Sequence, residues 1–387
     1  MAADRTLADA GEWATVWQRS LDVAGIGQLE EIARICPVLG PEIETEKGRR
    51  VHTVVGTGQT GFDGDNLPAV AAILNSPCDV VFGPRGDLYI ADCENHRIRK
   101  VDGNGVITTV AGTGRAGFDG DDQPAVRARL DSPCAVAFDA HGNLHIAETR
   151  GNRVRRVDGN GVITTVAGTG QAGFWGDDHL AVRARLDSPC AVAFDAHGNL
   201  HIVSGNRVRR VDGNGVITTV AGTGQAGFDG DSQPAVQARL NHPCGIDFGP
   251  TGDLHIADTS NHRVRRVDGN GVITTVAGTG QAGFNGDNQP AVQAQLFYPS
   301  SLAFAPDGAL CIVDTTNRRL RTMGRDGILT TFAGNGASAA SPDGARPTCT
   351  ALGCPEAVAF APDGSLYAVE NETSAGSTTS RIRRFPQ

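Results

Sequence analysis

The stretch VDGNGVITTVAGTG, Val157 to Gly170, occurs in four copies, the others beginning at Val101, Val211 and Val267. Successive copies lie 56, 54 and 56 residues apart. A period of that size marks units that each form one small sheet and bury apolar side chains against their neighbours. Working outward, the second unit reads PCAVAFDAHGNLHIAETRGNRVRRVDGNGVITTVAG and divides into four short runs separated by turn residues. Strand a is expected at about Cys134 to Asp139, b at Leu144 to Glu148, c at Arg153 to Asp158 and d at Val162 to Ala167. Between c and d, Asn160-Gly161 suits the two positive φ values of a type I′ hairpin turn. A proline opens strand a at Pro77, Pro133, Pro189, Pro243, Pro299 and Pro355, which makes six units. Four antiparallel strands per unit, repeated six times, describe an all-β fold, a six-bladed β-propeller.

The ends of the chain complement each other. The unit opened by Pro355 runs to RIRRFPQ with strands a, b and c but no d, whereas VHTVVGTG at Val51 to Gly58 is a strand d with no unit before it. The N-terminal strand is therefore expected to complete the last blade, closing the ring and removing its open edge. Upstream, Leu7, Ala10, Trp13, Trp17 and Leu21 mark one side of a helix, and Leu29, Ile32, Ala33 and Cys36 mark a second that Pro37 ends. The expected organisation is a short helical segment over residues 1–50, packed on the rim or used as a partner contact, and a propeller over 51–387.

Composition narrows the function classes. The 387 residues include 51 glycines, about twice the usual share, which go into turns. With 34 Lys plus Arg against 43 Asp plus Glu, the net charge is −9, and no basic surface able to offset phosphate charge is expected, so nucleic acid is not an expected partner. No apolar run approaches the roughly 20 residues of a membrane span, and the first residues lack the basic and apolar regions of a signal peptide. A cytoplasmic chain without a membrane partner is the expectation. Nine cysteines, with no CxxC pair among them, suit reduced thiols.

The strings LYIADCENHRIRKVD (Leu88 to Asp102) and LHIADTSNHRVRRVD (Leu254 to Asp268) resemble NHL repeats, of the bacterial type whose blades are joined by GTGxxGFxGDxxPA linkers. The resemblance covers Val51 to Gln387 and implies the propeller fold. It leaves function broad, since that family includes protein-interaction and RNA-binding modules, sensor domains and relatives of amidoglycolate lyase, and a shared fold does not assign chemistry.

Chain direction places the d–a linkers, about 22 residues long, and the b–c loops on one face of the ring, where function is expected. The linker DGD sequence is read as helix capping rather than calcium binding, with Asn66, Asp122, Asp178, Ser232 and Asn288 as N-caps of one or two helical turns. Cys78, Cys134, Cys190 and Cys244 share the parity of large apolar residues such as Val136 and Phe138 and are expected in the core, with no metal among them. His145, His201 and His255 are expected in interblade packing. Asp92, Glu148, Asp258 and Asp314 are expected to pair with the arginines of strand c.

Where near-identical repeats depart from one another, scaffold needs alone do not explain the departure. Trp175, His179 and Ser204 in blade 3, with Phe297, Tyr298 and Ser300 at blade 5, are candidate ligand or partner contacts forming an aromatic-rimmed pocket; drift in a solvent loop is the other reading. Within strand a, Asp79 and Asp247 replace small residues on opposite blades and, with Ser301 and Glu356, are candidate central-channel residues. They either hold a cation or act as acid and base, or only meet water and nearby backbone amides. The functional expectation is a protein- or small-molecule-binding module using the long-loop face; the alternative is an enzyme of lyase or hydrolase type, metal-assisted or not, with its site at the channel mouth. No cofactor is expected, a divalent cation in the channel being the alternative.

Overall fold

The computed structural model describes residues 50–338, 341–374 and 377–386. The two N-terminal helices expected upstream lie outside the described residues. Each unit forms an antiparallel sheet in the order a-b-c-d; in blade 2 these strands are Pro133–Phe138, Leu144–Glu148, Arg153–Val157 and Val162–Ala167. The inner strands a of the six blades contact one another around a closed ring. Closure is as the chain ends imply: His52–Val55 pairs antiparallel with Ser377–Phe385, His52 opposite Arg384 and Val55 opposite Ile382.

Five of the six sheets carry a strand that the four-run reading did not include. Leu67–Pro68, Gln123–Pro124, His179–Leu180, Gln233–Pro234 and Gln289–Pro290 each lie along strand d of the blade they lead into. Each linker thus leaves one blade, covers the outer edge of the next and returns to its inner strand. The residue two before the proline is not an N-cap. Asn66, Asp122, Asp178, Ser232 and Asn288 all take left-handed φ near +60° (+58° to +63°), and the amide of Asn66, for example, pairs with Ile107 O at 2.9 Å. A single 3₁₀ turn follows, Ala69–Ala71 in blade 1, with Pro68 at its N-cap and no side-chain cap.

The c–d turn is also built differently from the expected type I′. Asp158 Oδ1 accepts the amides of Asn160 and Val162 at 2.9 Å, and in the pair Asn160-Gly161 only Gly161 has positive φ (+78°). An aspartate that caps its own turn stabilises a four-residue connection with one left-handed position.

Blade packing follows the expected pattern. Edge-to-face pairs join strand b of one blade to strand a of the next: Tyr89 on Phe138, His145 on Phe194, His201 on Phe248 and His255 on Phe304, with centroids 4.8–4.9 Å apart. Strand c supplies two kinds of arginine. Arg97 lies over the Phe62 ring at 3.8 Å and donates to Thr113 O at 2.9 Å, clasping two linkers; Arg153, Arg207, Arg263 and Arg319 sit likewise over Phe118, Phe174, Phe228 and Phe284. Arg99, Arg155, Arg209, Arg265, Arg321 and Arg383 are fully buried and meet a linker aspartate, and in every blade but the third also an acid at the end of strand b.

Candidate functional site

The inner strands enclose an axial cavity of about 640 Å³. Its wall includes Asp79, Asp247, Ser300, Ser301 and Glu356, and also Cys78, Cys134, Cys190 and Cys244. The cysteines are half-buried and touch the cavity, while Cys134 and Cys190 also pack against the apolar clusters between blades as parity led one to expect. In blade 2 a register shift at the start of strand a takes Cys134 out of the alternation, since Pro133 pairs with Glu148 but Ala135 with Ala147; blades 1, 5 and 6 carry the same shift. A signal for this was present, because the same position is Ser300 in blade 5 and Glu356 in blade 6, neither a core residue.

This ring of six positions lies at the long-loop end of the cavity, where each strand a begins. Hydrogen bonds link it from blade to blade. Thr149 Oγ1 donates to Pro189 O at 3.0 Å, the Cys190 thiol to Pro243 O at 3.3 Å, Thr259 Oγ1 to Pro299 O at 2.7 Å and Ser300 Oγ to Glu356 O at 2.7 Å. The Cys190 and Cys244 thiols influence each other, Cys190 lying well above the usual thiol range and Cys244 below it. Burial pushes the Glu356 carboxyl up.

Asp79 and Asp247 touch the cavity, and each carboxylate bridges two blades. Asp79 accepts Val80 N of its own strand and Val136 N of the next blade, both at 2.9 Å; Asp247 accepts Phe248 N at 2.8 Å and Phe304 N at 2.9 Å. Backbone capping is thus what the geometry displays for both. Desolvation still outweighs these donors, pushing Asp79 up to about 7 and Asp247 up to about 6.

The sign for stability follows from where the proton sits. The folded chain keeps a proton on Asp79 at pH values where the unfolded chain has released it, so that contribution is full near pH 4 and is lost as pH rises through 7. The gap from an ordinary carboxylate is worth at most about 4 kcal/mol, less what cavity solvent screens. Asp79→Asn should therefore flatten the fall in melting temperature between pH 4 and 8; a variant whose curve runs parallel to the parent would refute this account.

The expected aromatic pocket divides in two. Trp175, half-exposed, lies against His179 with ring centroids 5.1 Å apart and lines a separate 390 Å³ pocket at the outer edge of blade 3, with Thr169, Gln171, Arg183 and Arg185. Phe297 and Tyr298 instead cluster with His262, whose Nδ1 accepts Tyr298 N at 3.2 Å. Ser204 is buried and belongs to neither, its Oγ accepting Asp187 N at 2.7 Å.

Part of the blade 3 departure is structural compensation. In blades 1, 2, 4 and 5 the residue at the Trp175 position accepts a backbone amide ten residues on, as Asp229 does from Arg239 at 3.0 Å. In blade 3 the Trp175 carbonyl takes over, accepting Arg185 N at 3.0 Å. Arg185 O in turn accepts Arg209 Nη1 at 3.0 Å, standing in for the strand-b acid that Ser204 replaces. Trp175 itself is left facing solvent. In blade 4 Arg239 lies 3.9 Å from Asp229, whereas Arg183 and Arg185 have no carboxylate partner among the described residues.

Comparisons with known proteins agree with this architecture. The NHL repeat family matches residues 74–101 and the Teneurin NHL domain family residues 169–228. Teneurin-1 of Mus musculus is 30% identical over 279 residues, which cover 62% of this chain, and Teneurin-m of Drosophila melanogaster 27% over 276 residues, again 62%. The chain spans about a tenth of the length of these relatives. Among solved structures, an auxiliary nutrient binding protein from Bacteroides ovatus superposes with a TM-score of 0.62 at 16% identity, covering 87% of this chain and 76% of that one. A structural genomics protein of unknown function from Bacteroides thetaiotaomicron gives 0.63 at 18%, with the same coverage. At such identities the likeness is one of fold. Repeats, ring closure and family matches together make residues 51–387 a six-bladed propeller that carries NHL-type repeats, matched at residues 74–101 and 169–228.

Proposed function

We propose that this propeller is a binding module whose long-loop face docks a protein segment bearing a carboxylate beside an apolar side chain, with the outer edge of blade 3 as the principal contact. The observation that carries this reading is the blade 3 pocket: an indole half exposed at 51%, flanked by Arg183 and Arg185 and without the aspartate that the same position holds in blades 1, 2 and 4. An exposed tryptophan beside arginines supplies both the apolar anchor and the charge that such contacts use. The cavity carboxylates support binding over acid–base chemistry, since Asp79 and Asp247 are each committed to two backbone amides.

Trp175→Ala should weaken the contact by about 2 kcal/mol, and Arg185→Glu by a similar amount, with melting temperatures unchanged. The check is cross-linking capture of partners by the parent and the two variants, followed by affinity measurement on each partner captured. Partners bound equally by all three proteins would overturn the assignment of this surface.

A further inference from the structure

The axial cavity has no part in the docking surface at blade 3. We propose that it binds a small organic cation, an ammonium group on an apolar body, with Glu356 as the counter-charge.

Three observations carry this. The first is the charge balance of the wall, which includes the carboxylates of Asp79, Asp247 and Glu356 and, among the described residues, no Lys, Arg or His. Asp79 and Asp247 are each engaged by two backbone amides. Glu356 is not: no backbone amide and no basic side chain meets its carboxylate among the described residues, and the thiol of Cys354, two residues back, is only a weak donor. A half-buried carboxylate left in that state costs free energy that a bound cation removes. The second is convergence. The position after the strand-a proline is a thiol in blades 1 to 4, a hydroxyl in blade 5 and a carboxylate in blade 6, and Ser301 stands where blades 2, 3, 4 and 6 have alanine or glycine. Ser300 Oγ accepts from Thr315 Oγ1 and donates to Glu356 O, both at 2.7 Å, so blade 5 pins the backbone that carries the carboxylate. Ser300, Ser301 and Glu356 thus gather in one sector of the mouth, and the stacked pair Phe297 and Tyr298 leads into it along the chain. The third is size. The 640 Å³ suit a small organic molecule, and strand a runs about 13 Å from Glu356 to Phe360 along a wall that is mainly alanine, valine and phenylalanine.

The groups on the wall select the ligand. Three carboxylates without a basic side chain disfavour an anion. Among the described residues no three of His, Cys, Asp and Glu converge to hold a metal, and one free carboxylate supplies too few oxygens for Ca²⁺ or Mg²⁺. An ammonium group has three hydrogens to donate and no acceptor to satisfy, which one carboxylate flanked by hydroxyls can meet. On binding, the ammonium donates to the Glu356 carboxylate and to the Ser301 hydroxyl, and the apolar body displaces water along the wall toward Phe360.

The test is calorimetric titration of the reduced full-length protein with phenethylammonium chloride, and in parallel with 2-phenylethanol, which has the same apolar body without the charge. The expected result is saturable one-to-one binding of the ammonium, tighter than the alcohol by at least about tenfold. Glu356→Gln should bring the ammonium down to the level of the alcohol, whereas Glu94→Gln, which removes a surface carboxylate, should leave both titrations unchanged. Iodoacetamide labelling with peptide mass mapping then places the ligand. Saturating phenethylammonium should slow labelling of Cys78, Cys134, Cys190 and Cys244 on the cavity wall several-fold and leave the exposed Cys349 unaffected. Absence of saturable binding to the parent would overturn the proposal, as would equal affinity for the ammonium and the alcohol, full affinity in Glu356→Gln, or unchanged labelling of the wall thiols. The comparison of the two ligands and the labelling need no variant, so they decide the question even where the glutamine substitution impairs folding.

Discussion

A chain lacking residues 1–55 should melt far below one lacking residues 1–45. The difference is the closing strand. Val51 and Val55 are fully buried, and Val55 packs in the cluster that holds Val80, Ile90 and Ile382 at the junction of the last and first blades. His52–Val55 also pairs with the outer edge of Ser377–Phe385, while the Val51 backbone is bonded to Gly344 and Ala345, and Thr53 to Asp343. Two buried valines at about 1.5–3 kcal/mol each, with several ladder bonds at about 1 kcal/mol, give a loss of at least about 5 kcal/mol. That is a large part of the stability of an ordinary domain. Urea denaturation of both truncations measures it, and coincident transitions would refute non-covalent closure.

The second large effect concerns the buried arginines. Arg265 has no solvent exposure, meets Asp231 at 2.9 Å and lies 3.6 Å from Asp258, which is itself fully buried. Arg265→Ala strands the Asp258 carboxylate and should cost about 3–5 kcal/mol. Arg209 in blade 3 is equally buried but faces Ser204 in place of an acid, and its one carboxylate, Asp177, is 31% exposed. Arg209→Ala strands no buried charge and should cost clearly less. Introducing Asp258→Ser into Arg265→Ala should then recover part of the loss by copying blade 3. Equal losses for the two single variants, or no recovery in the double one, would contradict the ion-pair account.

The ring, the strand order and its closure were legible because repetition converts a short-range pattern into a count, and the missing strand d at one end matches the spare one at the other. Less legible was whatever depended on a single residue leaving the alternation. The shift after Pro133 brings Cys134 to the cavity wall, while it still packs against the apolar cluster, without altering the apolar pattern of Val136 and Phe138, so parity alone did not show the cavity contact. The left-handed φ of Asp122 and Asp178 is set by pairing with a strand d that lies some forty residues later, which no local propensity records. In blade 3 the comparison of repeats located Trp175 and Ser204 correctly as departures. It could not show that Ser204 is buried beneath a linker, or that the Arg185 carbonyl supplies the bond to Arg209 that its loss removes.

The two-residue strands along the outside of the blades bear on how such rings behave when crowded together. Each one is the last strand of its sheet and would offer its backbone to any neighbouring molecule. In blades 1, 2, 4 and 5 its second residue is a proline, Pro68, Pro124, Pro234 or Pro290, which has no N–H to donate and so discourages edge-to-edge polymerisation. Blade 3 ends in Leu180, which retains that N–H and exposes nearly half of its side chain. Of these five outer strands, the one on the blade that presents Trp175 is thus the one without a proline to discourage chain addition.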